Sequence, residues 1–279
     1  MTAHTANPAA AATNASHADR TAASLRKLGL PASALPRHIA VIMDGNGRWA
    51  QRQGKPRTFG HQEGTKAVRA IVTECASLGL DALTLYSFSI ENWKRPADEV
   101  AFLMELYVEY LFAEREEMMD NNVRFVQIGR REPLPAPVLD ALDETVRLTA
   151  NNTGLTLALA LNYGSRTEIA DAAAAIARDV QAGRLEPDQV DETLFARYLY
   201  TAALPDPDLL VRTAGEMRVS NYLLWQISYA ELYVSDVCWP DFTVDQLHAA
   251  IRDFAQRQRK FGAVREADGR HEPSPPAAP

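Results

Sequence analysis

Cysteine is scarce in this chain of 279 residues, which contains only Cys75 and Cys238. Both lie in apolar patterns without the spacing of metal ligands, which excludes a disulfide framework and favours buried thiols in a reduced, cytoplasmic setting. Long apolar runs are also missing, since none approaches the ~20 residues that a membrane-spanning helix needs. The N-terminus lacks the basic start and apolar core of an export signal, so we expect a soluble, unexported protein.

The chain also lacks an excess of positive charge. Its formal net charge is −7, which argues against wholesale binding of nucleic acid, and we expect no nucleic-acid partner. Between Gly45 and Gln62, however, every charged residue is basic, and these residues are Arg48, Arg52, Lys55 and Arg57. A local basic patch on an acidic protein indicates a site for a small anion.

The composition, 47% hydrophobic, is sufficient for one sizeable domain. We expect this domain to span residues 35–264, between a disordered N-terminal extension over residues 1–34 and a disordered tail over residues 265–279. The two ends are rich in small, polar or proline residues and show no periodicity.

Apolar runs typical of strands alternate with helical stretches along the domain. This alternation predicts an α/β fold, with a mainly parallel central sheet flanked by helices. The predicted strands are Ile39–Met43, Ala82–Ser87, Val123–Ile128, Leu155–Leu161, Asp208–Arg212 and Leu232–Val237. The predicted helices are Gly64–Leu78, Asp98–Asn121, Pro137–Asn151, Arg166–Ala182 and Val244–Arg259.

The stretch His38–Trp49 contains the first functional motif. Asp44 follows the carboxyl end of an apolar strand, which is where open α/β sheets bind ligands. A glycine-containing loop comes next, and its backbone N–H groups and one guanidinium can converge on a diphosphate. The residues of this loop are Gly45, Asn46, Gly47 and Arg48.

Two later strands also end in polar and basic residues, so their side chains should reach the same sheet edge as Asp44. The first strand delivers Ser89, Glu91, Asn92, Trp93 and Arg95. The second delivers Arg212, Arg218 and Ser220, with Glu231 beyond an apolar stretch. An isolated carboxylate in such a stretch needs a cation, and the whole set suits diphosphates together with Mg²⁺.

Ordinary structural interpretations remain open for most of these residues. An aspartate after a strand often caps a helix or forms a turn. Arg57 and His61, four residues apart, can be a surface pair, while Trp49 and Trp93 can be core aromatics. Surface ion pairs are the alternative for the two later arginines, Arg212 and Arg218, with Asp206, Asp208 or Glu216 as partners.

Six motifs in order resemble the cis-prenyltransferases, and among them the bacterial undecaprenyl diphosphate synthases. They are HIAVIMDGNGRWA, the pair Gly60–His61, YSFSIENWKRP, NYGSR, RTAGEMRVSN and WQISYAELY. Together they cover roughly residues 35–262. The resemblance implies condensation of isopentenyl diphosphate onto an allylic diphosphate such as farnesyl diphosphate. The product would be a cis-polyprenyl diphosphate, undecaprenyl diphosphate or close to it, for a cell-wall lipid carrier.

The resemblance also implies the functions of individual residues. Asp44 would be the catalytic carboxylate and, with Glu231, a ligand of Mg²⁺. Asn92 is the suggested proton acceptor, although a neutral amide is a weak base and we expect it to orient a diphosphate oxygen or water. The allylic diphosphate would bind at Gly45, Asn46, Gly47, Arg48, Trp49, Arg57 and His61. The reacting end would comprise Ser89, Ile90, Glu91, Trp93 and Arg95, and the isopentenyl diphosphate site Arg212, Arg218, Val219 and Ser220.

A polyprenyl product needs an apolar channel, and the helix after Pro96 is one candidate wall. Core packing is the alternative for its apolar residues, which are Val100, Leu103, Met104, Tyr107, Tyr110 and Leu111. The resemblance further implies a homodimer, for which we expect the segment Tyr222–Tyr233 and Trp239 to form the interface. We also expect peripheral membrane contact during product release.

Three rival functions are weighed against this one. An aspartyl-phosphate hydrolase needs a second acid two residues after the first, where this chain has Asn46. A trans-prenyltransferase needs DDxxD segments, which do not occur here. A non-catalytic partner subunit of a heteromeric prenyltransferase would keep the fold and lose the acid, whereas this chain retains Asp44, Arg48 and the RTAGEMRVSN motif.

Overall fold

The computed structural model describes residues 19–258. Within this range six strands form one sheet, in the order β3-β4-β2-β1-β5-β6. Every neighbouring pair is parallel, which confirms the predicted α/β fold with a parallel central sheet. The strands are β1 (His38–Ile42), β2 (Ala82–Ser89), β3 (Arg124–Ile128), β4 (Thr156–Tyr163), β5 (Leu209–Arg212) and β6 (Glu231–Val234).

Helices connect the strands and cover the sheet. A first helix, α1, includes residues 19–28. The others are α2 (Asn46–Arg52), α3 (Arg57–Leu78), α4 (Ala97–Ala113), α5 (Arg115–Asp120), α6 (Ala136–Thr149), α7 (Ser165–Gln181), α8 (Glu192–Ala196) and α9 (Val244–Gln256). Short 3-10 turns lie at Ala32–Ala34, Ile90–Lys94, Pro187–Gln189 and Trp239–Asp241.

The central strand β1 is buried on both faces, as its uninterrupted apolar run predicted. Ile39 and Val41 face the larger core, which contains residues of α3, α4, α6 and α9. Ala40 and Ile42 face a second core, where Tyr222 and the neighbouring Leu223 pack. Because both faces of the sheet are covered, a ligand can enter only at an edge, where the strands end.

Two predictions of local structure need correction. The predicted loop after Asp44 is a helix from Asn46 onward, because Gly45 turns the chain at φ 99° directly into α2. The predicted helix Asp98–Asn121 is two helices that meet at Glu114. This side chain is buried and turns toward α3, where both of its oxygens accept hydrogen bonds from the Nε of Arg69 at 2.9 Å.

The predicted disorder of the ends is wrong where the structure describes them. Residues 19–28 are helical, and Leu28 is buried in the larger core. The Nε of Arg252 in α9 donates to the carbonyl of Leu28 at 2.9 Å, which ties α1 to the domain. Residues 1–18 and the predicted tail 265–279 lie outside the described residues.

Trp239 cannot form part of a dimer interface, because its side chain is 1% exposed and its indole N–H donates to the carbonyl of Gly64 at 2.9 Å. Tyr222 is likewise fully buried. The exposed apolar residues of the predicted interface are Tyr229, Leu232 and the adjoining Val234. Among the described residues no helix combines the length and apolar character needed to span a membrane.

Candidate active site

A cavity of about 630 Å³ lies beyond the carboxyl ends of β1, β2 and β5. Its polar wall contains His61 of α3 and residues at or after the ends of all three strands, which are Asp44, Asn46, Ser89, Glu91, Asn92, Arg95, Arg212, Arg218, Ser220 and Asn221. Its apolar wall includes Val68, Leu85, Leu103, Leu106, Tyr107, Tyr110 and Leu159. The sequence prediction that these strand ends meet at one sheet edge is therefore confirmed.

Asp44 stands where β1 gives way to α2, and its carboxylate faces three donors. Its Oδ2 accepts from the Nη2 of Arg212 at 2.9 Å, and its Oδ1 accepts from the backbone N–H of Gly45 at 2.7 Å. The Nη2 of Arg48 lies 3.3 Å from Oδ1. Burial alone would raise the pKa of Asp44, but these hydrogen bonds and the two guanidinium charges outweigh it and lower the pKa. The carboxylate is therefore ionised at neutral pH.

Thr213 holds the backbone at Asp44 in place. Its Oγ1 accepts from the N–H of Asp44 at 2.8 Å and lies 2.7 Å from the carbonyl oxygen of the same residue. The N–H of Trp239 also donates to that carbonyl, at 3.0 Å. Asp44 is thus fixed between β5 and the Trp239–Asp241 turn.

Arg212 is the most buried arginine of the site, at 5% exposed. Its Nη1 donates to the carbonyl of Arg218 and, at 2.8 Å, to the Oγ of Ser220. Its Nη2 donates to Asp44, as described above. One guanidinium thus joins the Asp44 carboxylate to the Arg218–Ser220 segment, which makes Arg212 the centre of this side of the cavity.

Glu216 anchors the two outer arginines. Its Oε1 accepts from the Nη1 of Arg48 at 3.0 Å, and its Oε2 accepts from the Nη1 of Arg218. The surface-pair interpretation is correct for Arg218 and Glu216, which are partners. The same pairing nevertheless holds both guanidiniums beside the cavity.

Glu99 forms the opposite anchor. This carboxylate is 8% exposed and faces Arg57 at 3.4 Å, Arg95 at 3.0 Å and His61 at 3.6 Å. Burial and the neighbouring arginine charges lower the pKa of His61 to about 4, despite the opposing effect of Glu99. His61 is therefore neutral at physiological pH and acts as a hydrogen-bonding group.

Buried polar atoms without a hydrogen-bond partner are concentrated at this edge. Among the described residues they include the Nε of Arg212, the Nε2 of His61 and the Oδ1 of Asn46. An unpaired buried donor costs ~1–3 kcal/mol, so groups of this kind persist where a ligand satisfies them. The unpaired Nε–H of Arg212 is a donor that an anionic oxygen of a ligand would satisfy.

Asn92 lies in a capping box at the end of β2. Its Oδ1 accepts from the backbone N–H of Ser89 at 3.1 Å. The carbonyl oxygen of the amide is thereby engaged, and the polar group that remains is the NH₂ donor. Such a donor suits a diphosphate oxygen better than it suits the removal of a proton.

Not every predicted residue lines the cavity. Trp49 stacks on Phe59 with ring centroids 5.9 Å apart, and Trp93 packs edge-on against Phe88 while its indole N–H donates to Asn162 at 2.8 Å. The core interpretation fits Trp93, which packs against the larger core, whereas Trp49 is half-buried and belongs to neither core. Gly45, Gly47, Arg48, Arg57, Ile90 and Val219 are also not among the lining residues.

Within one chain, Glu231 does not lie beside Asp44, with which it is predicted to share a metal. Glu231 is the first residue of β6 and pairs with Leu209 at the amino end of β5. It therefore lies three residues, or about 10 Å along the strand, before Arg212. Its carboxylate accepts from the Nη1 of Arg257 at 2.8 Å. Arg257 is therefore the positively charged partner that a carboxylate in an apolar stretch needs.

Glu99, Thr213 and Asn221 were not predicted as site residues, and Glu216 was considered only as a surface partner of the arginines. Glu99 shares one face of α4 with Leu103, so the helical period could have shown that an acid interrupts an apolar face. Glu216 lies between Arg212 and Arg218 in the sequence, and this position indicates an acid that can pair with a nearby arginine. Thr213 and Asn221 lie within the RTAGEMRVSN motif, but the motif does not show which distant residues they contact.

The fold and the cavity define a class of protein. A parallel α/β sheet with an arginine-rich edge and an apolar wall suits a ligand that has a phosphorylated head and a hydrocarbon body. Residues 42–262 match the model of a family described as putative undecaprenyl diphosphate synthase. The chain belongs to this family and is a prenyltransferase of the cis type.

Known proteins agree with this assignment. An isoprenyl transferase of Geobacter sulfurreducens is 52% identical over 234 residues, which cover 84% of this chain and 95% of that protein. The structure of lavandulyl diphosphate synthase from Lavandula x intermedia, in complex with dimethylallyl diphosphate, has a TM-score of 0.80 at 36% identity, covering 82% of this chain and 99% of that one. A probable undecaprenyl diphosphate synthase from Campylobacter jejuni has a TM-score of 0.68 at 33% identity, covering 81% and 98%.

Proposed function

We propose that this enzyme condenses isopentenyl diphosphate with an allylic diphosphate, such as farnesyl diphosphate, to form a cis-polyprenyl diphosphate. The supporting observation is that two anion-binding groups line one cavity. One group, with Asn46, His61 and Arg95, lies toward α3 and α4, and the other, with Arg212 and Arg218, follows β5. The apolar wall of the same cavity suits a hydrocarbon chain.

The two groups are assigned to the two substrates as follows. The allylic diphosphate binds beside Asp44 and the start of α2, and isopentenyl diphosphate binds at Arg212, Arg218 and Ser220. Departure of the allylic diphosphate develops negative charge, which fixed guanidinium and N–H donors stabilise without reorganisation. Asn92 orients an oxygen of this diphosphate or a water molecule.

Magnesium fits this site through Asp44. Among residues 19–258 no cluster of three or more His, Cys, Asp or Glu side chains is placed to hold a metal by itself. Mg²⁺ is commonly held by one or two carboxylates together with substrate phosphates and water, and one ionised carboxylate is present. A bound Mg²⁺ would neutralise charge on the departing diphosphate.

The first prediction tests this function directly. Purified protein should extend farnesyl diphosphate with radiolabelled isopentenyl diphosphate when Mg²⁺ is present, and product should fall to background in excess chelator. Restored activity after Mg²⁺ is added back controls for damage by the chelator. Undiminished activity in chelator would remove the metal from the mechanism, and no extension under any condition would favour the non-catalytic partner subunit.

Product length follows from the apolar wall, which we propose to be the channel for the growing chain. Tyr110 borders the main cavity and also a small void beyond it, which Val72 and Met118 help to line. Tyr110 is thus the residue that the cavity and this void of about 10 Å³ have in common. A medium chain, undecaprenyl or close to it, remains our proposal for the product.

Tyr110→Ala should shift the product distribution toward longer chains, because removal of the ring joins the cavity to the void. Chromatography of the dephosphorylated, radiolabelled products measures the shift. Tyr110→Phe is the matched control, since it keeps the ring, and should leave the distribution unchanged. An unchanged or shorter product from Tyr110→Ala would place the end of the channel elsewhere.

Three further features of the protein are proposals of the same kind. The exposed apolar residues Tyr229, Leu232 and Val234 support a homodimer through the β6 side of the sheet. Peripheral membrane contact would serve the release of an apolar product. The two buried free cysteines support the predicted cytoplasmic location.

A further inference from the structure

Asn221 borders the cavity but belongs to neither of the two anion-binding groups. Its φ is 59°, and that of Ser220 beside it is 48°. Two successive residues other than glycine in the left-handed region are uncommon, and such a backbone persists where surrounding contacts hold it. Asparagine tolerates this region because its short side chain can form hydrogen bonds close by.

The side chain of Asn221 uses both of its polar atoms to join separate segments. Its Nδ2 donates to the Oε1 of Glu91 at 3.0 Å, and its Oδ1 accepts from the backbone N–H of Arg166 at 2.9 Å. Its own carbonyl accepts from the backbone N–H of Ser165 at 2.8 Å. The Ile90–Lys94 turn and the start of α7 are thus both tied to the residue that follows Ser220.

Two neighbouring residues support this arrangement. A Cβ at Gly164 would lie 2.8 Å from the Nδ2 of Asn221, so the glycine leaves room for the amide. Burial opposes the ionisation of Glu91, but hydrogen bonds from its own backbone and from Asn221 lower its pKa. Glu91 is therefore a charged acceptor, which gives a stronger hydrogen bond than a neutral one.

We propose that Asn221 is a positioning residue, which fixes the isopentenyl diphosphate segment at Arg218–Ser220 relative to the Ile90–Lys94 turn at the reacting end. This inference depends on the proposed function. Condensation requires the two reacting carbons to be held close and aligned, and a misplacement of about 1 Å can lower a rate by about 100-fold. Asn221 acts through the Glu91 hydrogen bond and touches no reacting atom.

Exchange of the donor and the acceptor tests the proposal. Asn221→Asp keeps the left-handed backbone and the acceptor for Arg166, but it sets a carboxylate against Glu91. The Asn221→Asp, Glu91→Gln double variant restores one amide, one carboxylate and the same total charge. KM for each substrate and kcat are measured separately for the wild type, both single variants and the double variant.

Asn221→Asp should raise KM for isopentenyl diphosphate by about tenfold or more, with a smaller change for the allylic substrate. In the double variant, KM for isopentenyl diphosphate should return to within about threefold of its value in Glu91→Gln, because the hydrogen bond is restored with reversed polarity. Absence of recovery, or an equal rise in both KM values, would overturn the proposal. Loss of extension by the wild type would instead overturn the proposed function, so the two failures are distinguishable.

Gly164→Ala gives a second test that leaves both hydrogen-bonding residues unchanged. Its added methyl group displaces the Asn221 amide, so KM for isopentenyl diphosphate should rise in the same direction as in Asn221→Asp. Thermal melting shows which variants are folded, and the comparison is made on those. A folded Gly164→Ala enzyme with wild-type constants for both substrates would contradict the proposed coupling.

Discussion

Asp44→Ala is expected to lower kcat by about 1,000-fold or more while the protein remains folded. The carboxylate is the one acid that faces Arg212, Arg48 and the N–H of Gly45 together, and it is our proposed Mg²⁺ ligand. Its removal takes away an interaction with charge that develops in the transition state, and losses of one such interaction are typically ~10²–10³-fold. The variant would also lose metal binding, so we expect kcat to fall by at least the upper value of that range, about 1,000-fold.

Steady-state kinetics of Asp44→Ala, Asp44→Asn and Asp143→Ala test this prediction. Asp44→Asn keeps the size of the side chain and removes its charge, so it should be nearly as slow. Asp143 also pairs with an arginine, Arg131, but lies on the surface outside the cavity, so its variant should retain wild-type turnover. Wild-type turnover in Asp44→Ala would take the residue out of the mechanism.

The stability of Asp44→Ala provides an independent check. Because the folded-state pKa of Asp44 is lowered, the ionised carboxylate stabilises the protein above its unfolded pKa, and this contribution is lost as pH falls through the folded pKa. The variant should therefore melt a few degrees below the wild type at pH 7, about 2–4 °C for each kcal/mol lost. The difference should narrow toward pH 3.

The position of the site was predictable because parallel strands impose it. Asp44, Ser89 and Arg212 each follow an apolar run, and the carboxyl ends of such strands meet at one edge of the sheet whatever their order. The alternation of strands and helices was sufficient for this conclusion. Strand order and register were not needed.

The position of Glu231 was not foreseen from the sequence. Glu231 is the first residue of β6 and lies at the amino end of its strand, whereas the sequence analysis grouped it with residues at carboxyl ends. The pairing of Glu231 with Leu209 fixes its position in the sheet. Sequence does not show this register, because the register depends on contacts between distant segments. Thr213 and Asn221 escaped prediction for the same reason, since their partners lie 169 and 130 residues away.

The acids Glu99 and Glu216 illustrate a second limit. Sequence reasoning looked for residues that would bind a diphosphate, which are arginines, and passed over residues that hold those arginines in place. Fixed guanidiniums are effective because their orientation is settled before the ligand arrives, and this orientation comes from carboxylates behind them. The particular pairing of each acid with its arginines, such as that of Glu216 with Arg48, becomes visible only when the side chains are placed in space.

Arg212→Ala is expected to lower kcat/KM for isopentenyl diphosphate by at least ~100-fold, mainly through KM, with a smaller effect on the allylic substrate. The buried guanidinium bonds Ser220 and the carbonyl of Arg218, and its Nε–H has no partner among the described residues. Truncation therefore removes a donor for the substrate and also loosens the segment that completes the site. Both consequences act on the isopentenyl side of the cavity.

Arg212→Lys separates charge from geometry in the same experiment. A lysine keeps the charge but cannot bond Asp44, Ser220 and a diphosphate oxygen from one planar group, so it should recover only a small part of the loss. The two KM values, measured with the other substrate saturating, identify the site that is affected. If only the KM for the allylic substrate rises, the assignment of the two diphosphate sites is reversed, because Arg212 would then hold the leaving group and not the nucleophile.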